Sequence, residues 1–242
     1  MLPIGDRDEP GPPPIVNLAI IVLNVIVFLL LQLPNPDFTN GYSAVPAEIT
    51  TGVDLVGPQY VQFADGTQAE IDEAPGPRPL WITLFTSMFM HGGWLHIGGN
   101  MLFLFVFGDN VERFFGHAKY LLFYLAAGLI ASLAQVYSDP TSVVPSLGAS
   151  GAISGVLAAY LLLFPRNPVR VLIFLRIVPF IIQVPALVMI GLWAALQFLS
   201  AFSGETDGVA YMAHVGGFIA GLVFAFLLRS VTGPPRMSYS QP

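Results

Sequence analysis

Six runs of apolar residues, each about as long as a helix that crosses a lipid bilayer, dominate the chain. A helix needs about 20 apolar residues to cross the hydrocarbon core, and only helices and closed barrels satisfy their backbone hydrogen bonds there. The composition agrees, because 55% of the 242 residues are hydrophobic and 10% are charged, whereas soluble domains carry about a quarter charged residues. We therefore predict an all-α membrane protein with six transmembrane helices, at residues 15–33, 95–111, 118–137, 149–164, 181–202 and 209–228.

The positive charges between these runs fall almost entirely on one side of the predicted membrane. With the N-terminus inside, eight of the nine Lys and Arg residues lie on the inner side: Arg7, Arg113, Lys119, Arg166, Arg170, Arg176, Arg229 and Arg236. Only Arg78 lies on the outer side. Because cytoplasmic segments carry an excess of positive charge, we predict that the N-terminal tail (1–14) and the C-terminal tail (229–242) are both cytoplasmic.

Between the tails, the prediction divides the chain into a first transmembrane helix (15–33), an outer loop (34–94) and a core of five transmembrane helices (95–228). The outer loop has a polar, acidic part (34–79) and an apolar part (80–94), which we interpret as interfacial or re-entrant. Within the acidic part, Asp65-Gly66 between β-prone flanks indicates a hairpin, with an irregular polar loop as the alternative. Residues 168–180 are also predicted to lie at the interface.

Several kinds of chemistry are excluded by what the chain lacks. Without cysteine it forms no disulfide and has no thiolate to act as nucleophile or metal ligand. Its net charge of −6 argues against a nucleic-acid partner, which calls for basic patches. His91 and His96 do not have the HExxH spacing of a helix-borne zinc protease, and no carboxylate lies near them in the sequence. We therefore expect no metal site.

Four of the polar residues in the predicted spans stand out, since polar groups are costly there and usually functional. They are His96, Asn100, Ser150 and His214. The second, fourth and sixth spans all run from outside to inside, and each of these residues is close to the start of its span. At a rise of about 1.5 Å per residue, all four lie within about 10 Å of the outer ends of their helices. Residues far apart in the sequence are thus predicted to lie at one depth.

Small residues at helical spacing follow both Ser150 and His214. Gly151 and Gly155 are four residues apart in the fourth span, as are Gly217 and Gly221 in the sixth. Such pairs form a flat stripe that lets two membrane helices approach closely. We therefore predict that the fourth span packs against the sixth and brings the serine hydroxyl to the imidazole.

These residues form the set that a serine hydrolase requires. A serine hydroxyl becomes an effective nucleophile when a base removes its proton, and histidine is the usual base. Attack on a peptide carbonyl also needs hydrogen-bond donors for the developing oxyanion. His96 and Asn100 lie one helical turn apart, and the helix that begins near Ser150 adds free backbone N–H groups. No acidic residue lies in the spans at this depth, so we predict a Ser–His dyad.

A structural role is the alternative for each of these residues. Ser150 fits a helix cap or a small packing residue, and His214 fits a structural hydrogen bond inside the bundle. His96 and Asn100 fit interhelical hydrogen bonds, which are compatible with an oxyanion role. We favour the dyad because its two members share a depth. Gln197, in the fifth span, is assigned to packing rather than to a substrate path.

Four motifs in this order resemble the rhomboid family of intramembrane serine proteases: HGGWLHIGGN (91–100), ERFFGHAKY (112–120), GASG (148–151) and AHVGGFIAG (213–221). The resemblance covers roughly residues 80–230 and implies a rhomboid-like helical bundle. The implied site consists of Ser150 as nucleophile and His214 as base, Asn100, His96 and the Ser150 backbone N–H as oxyanion hole, and Gly148, Gly151, Gly217 and Gly221 as supporting residues.

The resemblance also implies a substrate class and a location. Family members cleave transmembrane segments of other membrane proteins near the membrane face, within the lipid bilayer, and use no metal or cofactor. The implied location is the cell membrane, with the active site towards the outer side. In the family, the position four residues after the nucleophile is often aromatic and packs under the histidine. Here that position is Ser154, so the resemblance does not say what supports the imidazole.

Two functions from other classes are alternatives. A catalytically inactive rhomboid-like protein that binds membrane clients generally lacks the serine or the histidine, and this chain keeps both. A small transporter is expected to have inverted repeats and polar sites at the midplane. In this chain the polar residues lie near the outer side, and no repeat is evident. The sequence leaves the oligomeric state open.

Overall fold

The computed structural model describes residues 2–62, 66, 68–175, 178–203 and 208–232. Within these residues the α-helices are α1 (Ile15–Ile26), α2 (Pro36–Tyr42), α3 (Pro46–Thr51), α4 (Thr83–Thr86), α5 (Trp94–Phe115), α6 (His117–Ser138), α7 (Ser150–Leu163), α8 (Ala186–Ser203) and α9 (Tyr211–Thr232). The strands are β1 (Leu2–Gly5), β2 (Gly57–Gln62), β3 (Gln68–Glu73), β4 (Pro168–Leu175) and β5 (Val178–Pro185). The first helix continues as a π-helix over Val27–Gln32. A helix occurs at each of the six positions where the apolar runs predict one.

Four helices in the described part of the chain are long and apolar enough to cross a membrane: α1 with its π-helical continuation, α6, α8 and α9. The other two predicted spans differ from these. α5 has 22 residues and carries Asp109, Glu112 and Arg113 in its last two turns, and α7 is apolar but has only 14 residues. The total of six spans and the cytoplasmic position of the tails remain predictions, and residues 233–242 of the C-terminal tail lie outside the described residues.

α7 is the central helix of the bundle. All residues from Gly151 to Tyr160 are buried, and α5, α6, α8 and α9 pack around it. A helix that is apolar on every side is typical of a buried position. Because other helices surround α7, it can be shorter than a helix that faces lipid across the whole bilayer. The helix that begins at Ser150 is thus held in place by four surrounding helices.

Two strands, β4 and β5, precede the fifth predicted span and correct its start. β4 and β5 pair in antiparallel fashion, and β1 adds to the other edge of β4. The described residues of the stretch 168–180 are thus strands, and their position at the interface stays a prediction. Residues 181–185 do not belong to the helix of the fifth span, since α8 begins at Ala186. The segment is rich in β-branched residues, which favour strands. In the described residues the fold is mostly helical with two small sheets, rather than all-α.

The outer loop contains the predicted hairpin. β2 and β3 pair in antiparallel fashion along their whole length. Gly66 in the turn has φ +85°, a conformation that favours glycine, while Asp65 lies outside the described residues. A second contact joins the loop to the segment before α7, because Ala44 and Ser146 exchange two backbone hydrogen bonds of 3.0 and 2.9 Å. The outer loop therefore helps to hold the segment that leads into the central helix.

A buried carboxylate joins three helices at the other end of the bundle. Glu112 accepts hydrogen bonds from the backbone N–H groups of Val16 and Asn17 at 3.0 and 2.6 Å, which satisfies free donors at the start of α1. His117 Nδ1, at the start of α6, lies 2.5 Å from the same carboxylate. Glu112 thus fixes the turn between α5 and α6 against α1.

Asp6 holds the N-terminal tail against α5 and α7. The Tyr160 hydroxyl and the Asn110 amide both donate hydrogen bonds to its carboxylate, the amide at 2.8 Å. Burial raises the pKa of Asp6 from 3.8 to about 7, although these two hydrogen bonds lower it. The nearby carboxylates of Asp109 and Asp8 raise it further. The docked tail therefore favours the protonated form of Asp6.

We expect this carboxyl group to make the folded state less stable as pH rises. Because its pKa is higher in the folded than in the unfolded chain, its contribution is greatest below about pH 4 and is lost as pH rises through about 7. In detergent, the melting temperature of the wild-type protein should be roughly 3–6 °C higher at pH 5 than at pH 8. Asp6→Asn should remove only the part of that difference that comes from Asp6, about half of it. Burial also raises the pKa of Glu73 to about 7, but Glu73 is present in both proteins. Equal pH dependence of wild type and variant would contradict the assignment to Asp6.

Candidate active site

Ser150 and His214 form a hydrogen bond at the starts of two packed helices. Ser150 is the first residue of α7, and His214 is in the first turn of α9. Ser150 Oγ lies 2.8 Å from His214 Nε2, although 64 residues separate the two in sequence. His214 is only 9% exposed, and Ser150 is partly buried. The fold thus joins the two residues that the sequence places at one depth.

Two pairs of glycines let α7 and α9 approach until their backbones touch. A Cβ atom at Gly217 would meet the carbonyl oxygen of Gly151, and one at Gly221 would meet the backbone of Gly155. Small residues four apart allow this close approach, so the helices pack as the spacing predicts. Because the serine and the histidine lie at the starts of the same two helices, this contact also sets the distance between them.

The loop before α7 passes close to His96. Gly148 has φ +133°, a conformation that a residue with a side chain rarely adopts. A Cβ atom there would lie 2.9 Å from His96 Nε2 and 3.5 Å from Ser150 Oγ. The Gly148 N–H donates a hydrogen bond to the Ser87 carbonyl oxygen at 2.9 Å, which fixes the loop. Glycine at this position therefore leaves the space beside Ser150 open towards His96.

His96 and Asn100, one turn apart on α5, each have an N–H group with no hydrogen-bond partner among the described residues. His96 Nδ1 accepts a hydrogen bond from the Gly92 N–H at 3.2 Å, so a neutral ring carries its hydrogen on Nε2, the atom that faces Gly148. Asn100 is 7% exposed, and its Nδ2 has no hydrogen-bond partner among the described residues. Within that part of the chain neither side chain forms a hydrogen bond to another helix, as the alternative structural role would require. Both donors are therefore available to a bound group.

His91 packs behind His96. The two rings lie 5.2 Å apart at 72°, and the His91 ring is buried. The Gln32 amide holds its backbone, accepting from the His91 N–H at 2.9 Å and donating to its carbonyl oxygen at 3.1 Å. His91 therefore supports the ring of His96. In the described ranges, no group of three or more His, Asp or Glu residues is arranged to hold a metal ion.

The far side of the His214 ring faces an amide and two aromatic rings. His214 Nδ1 lies 2.6 Å from Gln197 Oε1, on α8. The Trp193 ring, also on α8, lies 5.9 Å from the imidazole at 42°, and the Tyr211 ring lies 6.3 Å away at 88°. Aromatic support for the imidazole therefore comes from α8 and α9.

Gln197, like Trp193, was assigned to packing from the sequence, although both side chains contact His214. The available signal was a polar amide in an otherwise apolar span, a combination that is usually functional. The sequence does not say which way α8 is rotated, and hence which side chain the amide meets.

Ser154, at the position where an aromatic residue is common in the family, is buried and donates a hydrogen bond to the Ser150 carbonyl oxygen at 2.7 Å.

The cavity next to Ser150 is small. Its volume is about 20 Å³, and the polar part of its wall includes Ser87, Ser132 and Ser146. This is about the space that one water molecule needs. A cavity of about 430 Å³ lies elsewhere, between the N-terminal tail, α1 and α5. Pockets for small-molecule substrates measure about 300–1,000 Å³, so the cavity at the serine does not have the size of such a pocket.

A family model of the Rhomboid domain matches residues 78–231. This range contains all the helices from α4 to α8 and nearly all of α9, together with Ser150, His214, His96 and Asn100. The chain therefore belongs to the rhomboid family, a family of membrane proteins that includes serine proteases.

Named relatives show how much of the chain is shared. It is 30% identical to Rhomboid protein 1, mitochondrial, of Saccharomyces cerevisiae over 166 residues, which are 64% of this chain and 44% of that protein. It is 34% identical to Rhomboid protease GluP of Bacillus subtilis over 156 residues, 64% of this chain and 27% of that protein. It is 31% identical to Rhomboid-type serine protease 2 of Emericella nidulans over 164 residues, 66% of this chain and 29% of that protein. The chain spans less than half the length of each of these relatives.

Proposed function

We propose that the chain is an intramembrane serine endopeptidase, with Ser150 as nucleophile and His214 as general base. The 2.8 Å hydrogen bond between Ser150 Oγ and His214 Nε2 carries the proposal, because serine becomes an effective nucleophile when a base lies within hydrogen-bond reach. Membership of the rhomboid family supports it, since two of the relatives above are named as proteases.

The proposed reaction has two halves. In the first, Ser150 Oγ attacks the carbonyl carbon of the scissile peptide bond while His214 Nε2 accepts the hydroxyl proton. The resulting tetrahedral intermediate collapses when His214 gives this proton to the leaving amine, and the acyl group stays on Ser150 as an ester. In the second half, water attacks the ester carbonyl carbon and His214 accepts a proton from it. The proton then returns to Ser150 Oγ as the carboxylic acid product leaves.

Three N–H groups form the proposed oxyanion hole. They are Asn100 Nδ2, His96 Nε2 and the backbone N–H of Ser150. The first two are free of protein partners in the described residues, and the third is one of the unpaired donors at the start of α7. Donors fixed in place before the reaction stabilise the charge that develops on the carbonyl oxygen. The positive end of the α7 dipole adds to this effect.

Replacing Asn100 by alanine is expected to lower the cleavage rate about 100- to 1,000-fold, which is the effect of removing one oxyanion-hole donor from a serine protease. Asn110→Ala on the same helix is the matched control, because that buried amide binds the N-terminal tail instead. The measurement is cleavage of a fluorogenic transmembrane peptide in liposomes. A rate for Asn100→Ala equal to that of Asn110→Ala would remove Asn100 from the oxyanion hole.

The proposed substrates are membrane proteins, cleaved in or near their transmembrane segments. The small cavity at Ser150 favours an extended polypeptide that approaches from the side over an enclosed small molecule. The outward-facing side of α8 is apolar and exposed, as at Leu196 and Leu199, and we propose that substrates reach the site from the lipid beside it. With six spans and both tails cytoplasmic, Ser150 would lie near the outer face of the cell membrane.

A catalytically inactive rhomboid-like protein that binds membrane clients is the alternative function. Binding alone does not require a serine hydroxyl within 2.8 Å of an imidazole nitrogen. It also does not require a buried Asn100 amide whose Nδ2 has no hydrogen-bond partner among the described residues. The arrangement of the site therefore favours the protease.

Labelling with a fluorophosphonate probe tests the proposed function. The probe reacts covalently with activated serines, so the wild-type protein, solubilised in detergent or in liposomes, should become labelled at Ser150, as mapped by peptide mass spectrometry. Ser150→Ala is the control for labelling elsewhere. Folded wild-type protein that is not labelled in either environment would overturn the protease assignment and support the client-binding alternative.

A further inference from the structure

The hydrogen bond on the far side of His214 determines which ring nitrogen is free to act as a base. His214 Nδ1 lies 2.6 Å from Gln197 Oε1. An amide oxygen only accepts hydrogen bonds, so Nδ1 must carry the hydrogen. In the neutral ring, Nε2 is then unprotonated, and it is the atom 2.8 Å from Ser150 Oγ. Among the described residues, Ser150 and Gln197 are the two side chains that hydrogen-bond to this ring.

We propose that Gln197 is a positioning residue that holds His214 in the tautomer and orientation required for a base. This inference rests on the proposed protease function. In serine hydrolases with an Asp–His–Ser triad, a carboxylate performs this task, and loss of the correct tautomer lowers the rate about 10,000-fold. Here a neutral amide occupies the equivalent place on Nδ1. The aromatic rings of Trp193 and Tyr211 limit how the imidazole tilts, but ring contacts do not select a tautomer.

Gln197 lies in the half of α8 that is least embedded in the protein. The buried residues of α8 are Ala186, Met189, Ile190 and Ala194, all before Gln197 in the sequence. Beyond it, Leu199 is 68% exposed and Phe202 is 76% exposed. Of the four helices long and apolar enough to span a membrane in the described chain, α8 has the smallest buried share. The acceptor for His214 is therefore carried by a peripheral segment rather than by the buried core.

The position of this segment should consequently regulate the base. Phe198, next to Gln197, packs edge-on against Phe218 of α9 at 6.3 Å, and this contact holds the second half of α8 against the helix that carries His214. When that half of α8 moves away, the Gln197 amide leaves Nδ1 and the tautomer is no longer selected. The dyad is therefore fully assembled only while the second half of α8 is seated against α9.

Two substitutions at Gln197 test the positioning role. Gln197→Leu has a similar size but no acceptor, and we expect it to lower kcat for peptide cleavage in liposomes about 10- to 100-fold with little change in KM. Gln197→Glu keeps an acceptor and should stay within about fivefold of the wild-type kcat. Gln135→Leu is the matched control, because that amide accepts from the backbone N–H of Ala213 at 3.2 Å and not from the imidazole. If Gln197→Leu and Gln135→Leu retain the same kcat, the positioning role is wrong.

A spectroscopic measurement separates positioning from a general loss of packing. With ¹⁵N-labelled histidine, the His214 ring signals can be assigned by their disappearance in His214→Ala. Wild type and Gln197→Glu should show an imidazole protonated on Nδ1, and Gln197→Leu should show a mixture of tautomers. An unchanged tautomer in Gln197→Leu, or an Nε2-protonated ring in the wild-type protein, would overturn the inference.

A double-mutant cycle tests the dependence on the seating of α8. Phe198→Ala removes the contact with Phe218 and should lower kcat through loss of the same Gln197–His214 hydrogen bond. Combined with Gln197→Leu, it should then add little to the loss, because two changes that act through one interaction are not additive. Fully additive losses would show that the position of α8 and the orientation of His214 are independent.

These outcomes are distinct from failure of the proposed function itself. If the wild-type protein is folded yet neither labels with the fluorophosphonate nor cleaves a substrate, the protease assignment fails. If the wild-type protein labels at Ser150 and the Gln197→Leu variant labels at the same rate, the protease assignment stands and the role of Gln197 alone is refuted.

Discussion

Replacing His214 by alanine is expected to reduce peptide cleavage about 10,000-fold or more, because no other group in the described chain lies within hydrogen-bond distance of Ser150 Oγ to accept its proton. The residual rate should reflect the oxyanion donors and substrate binding alone. His214 is almost fully buried, but its ring contacts the Ser150 hydroxyl and side chains of α8 and the first turn of α9, and it is not part of the α7–α9 backbone contact. The variant is therefore expected to fold.

The measurement is cleavage of a fluorogenic transmembrane peptide together with fluorophosphonate labelling, and the melting temperature in detergent confirms folding. Ser150→Ala should match His214→Ala in cleavage, and the double variant should be no worse than either single variant, because the two residues act as one unit. A different result would contradict this role. If Ser150→Ala is inactive but His214→Ala keeps a cleavage rate within tenfold of wild type, the imidazole is not the base and only packs against the serine.

Replacing Gly217 by alanine is expected to reduce activity about 100-fold without touching either member of the dyad. The added methyl group would meet the Gly151 carbonyl oxygen, so α9 must move away from α7. Overpacking of this kind destabilises a fold by about 1–3 kcal/mol, and a displacement of about 1 Å between reacting groups can reduce a rate about 100-fold. Both the melting temperature and the cleavage rate should fall.

Gly191→Ala on α8 is the control for the effect of alanine itself. A Cβ atom at Gly191 meets nothing within 4 Å, and alanine is a better helix former than glycine by about 1 kcal/mol. This variant should keep its activity and melt at the same temperature as wild type or slightly higher. The same substitution thus has opposite effects on stability at two helical glycines. If Gly217→Ala behaves like Gly191→Ala, the glycine contact does not set the distance between Ser150 and His214.

The positions of the helices and the members of the dyad could be predicted because their signals are local. Each long apolar run predicts a helix by itself, and a helix rises by a fixed distance per residue. Ser150 and His214 could therefore be assigned to one depth before any contact between them was known. The Gly151–Gly155 and Gly217–Gly221 pairs then indicated which two helices could approach closely enough to bring Ser150 and His214 together.

The hairpin at 168–185 could not be predicted in the same way. Its apolar, β-branched residues suit a strand, and those from 181 onwards suit the start of a span equally well by composition. Strand formation there depends on pairing, and one partner, β1, lies at the other end of the chain. The beginning of α8 at Ala186 follows from that pairing.

Local composition and helical rise are thus properties of short segments, and they were enough to identify the long helices, the serine and the imidazole. The rotation of one helix against another is not such a property, since it depends on the sum of many packing contacts along both helices. Rotation decides that Gln197 faces His214 Nδ1 and that Asn100 Nδ2 is buried with no hydrogen-bond partner among the described residues. For this reason the proximity of Ser150 and His214 was predictable from the sequence, whereas the amide that hydrogen-bonds to His214 became visible only in the packed bundle.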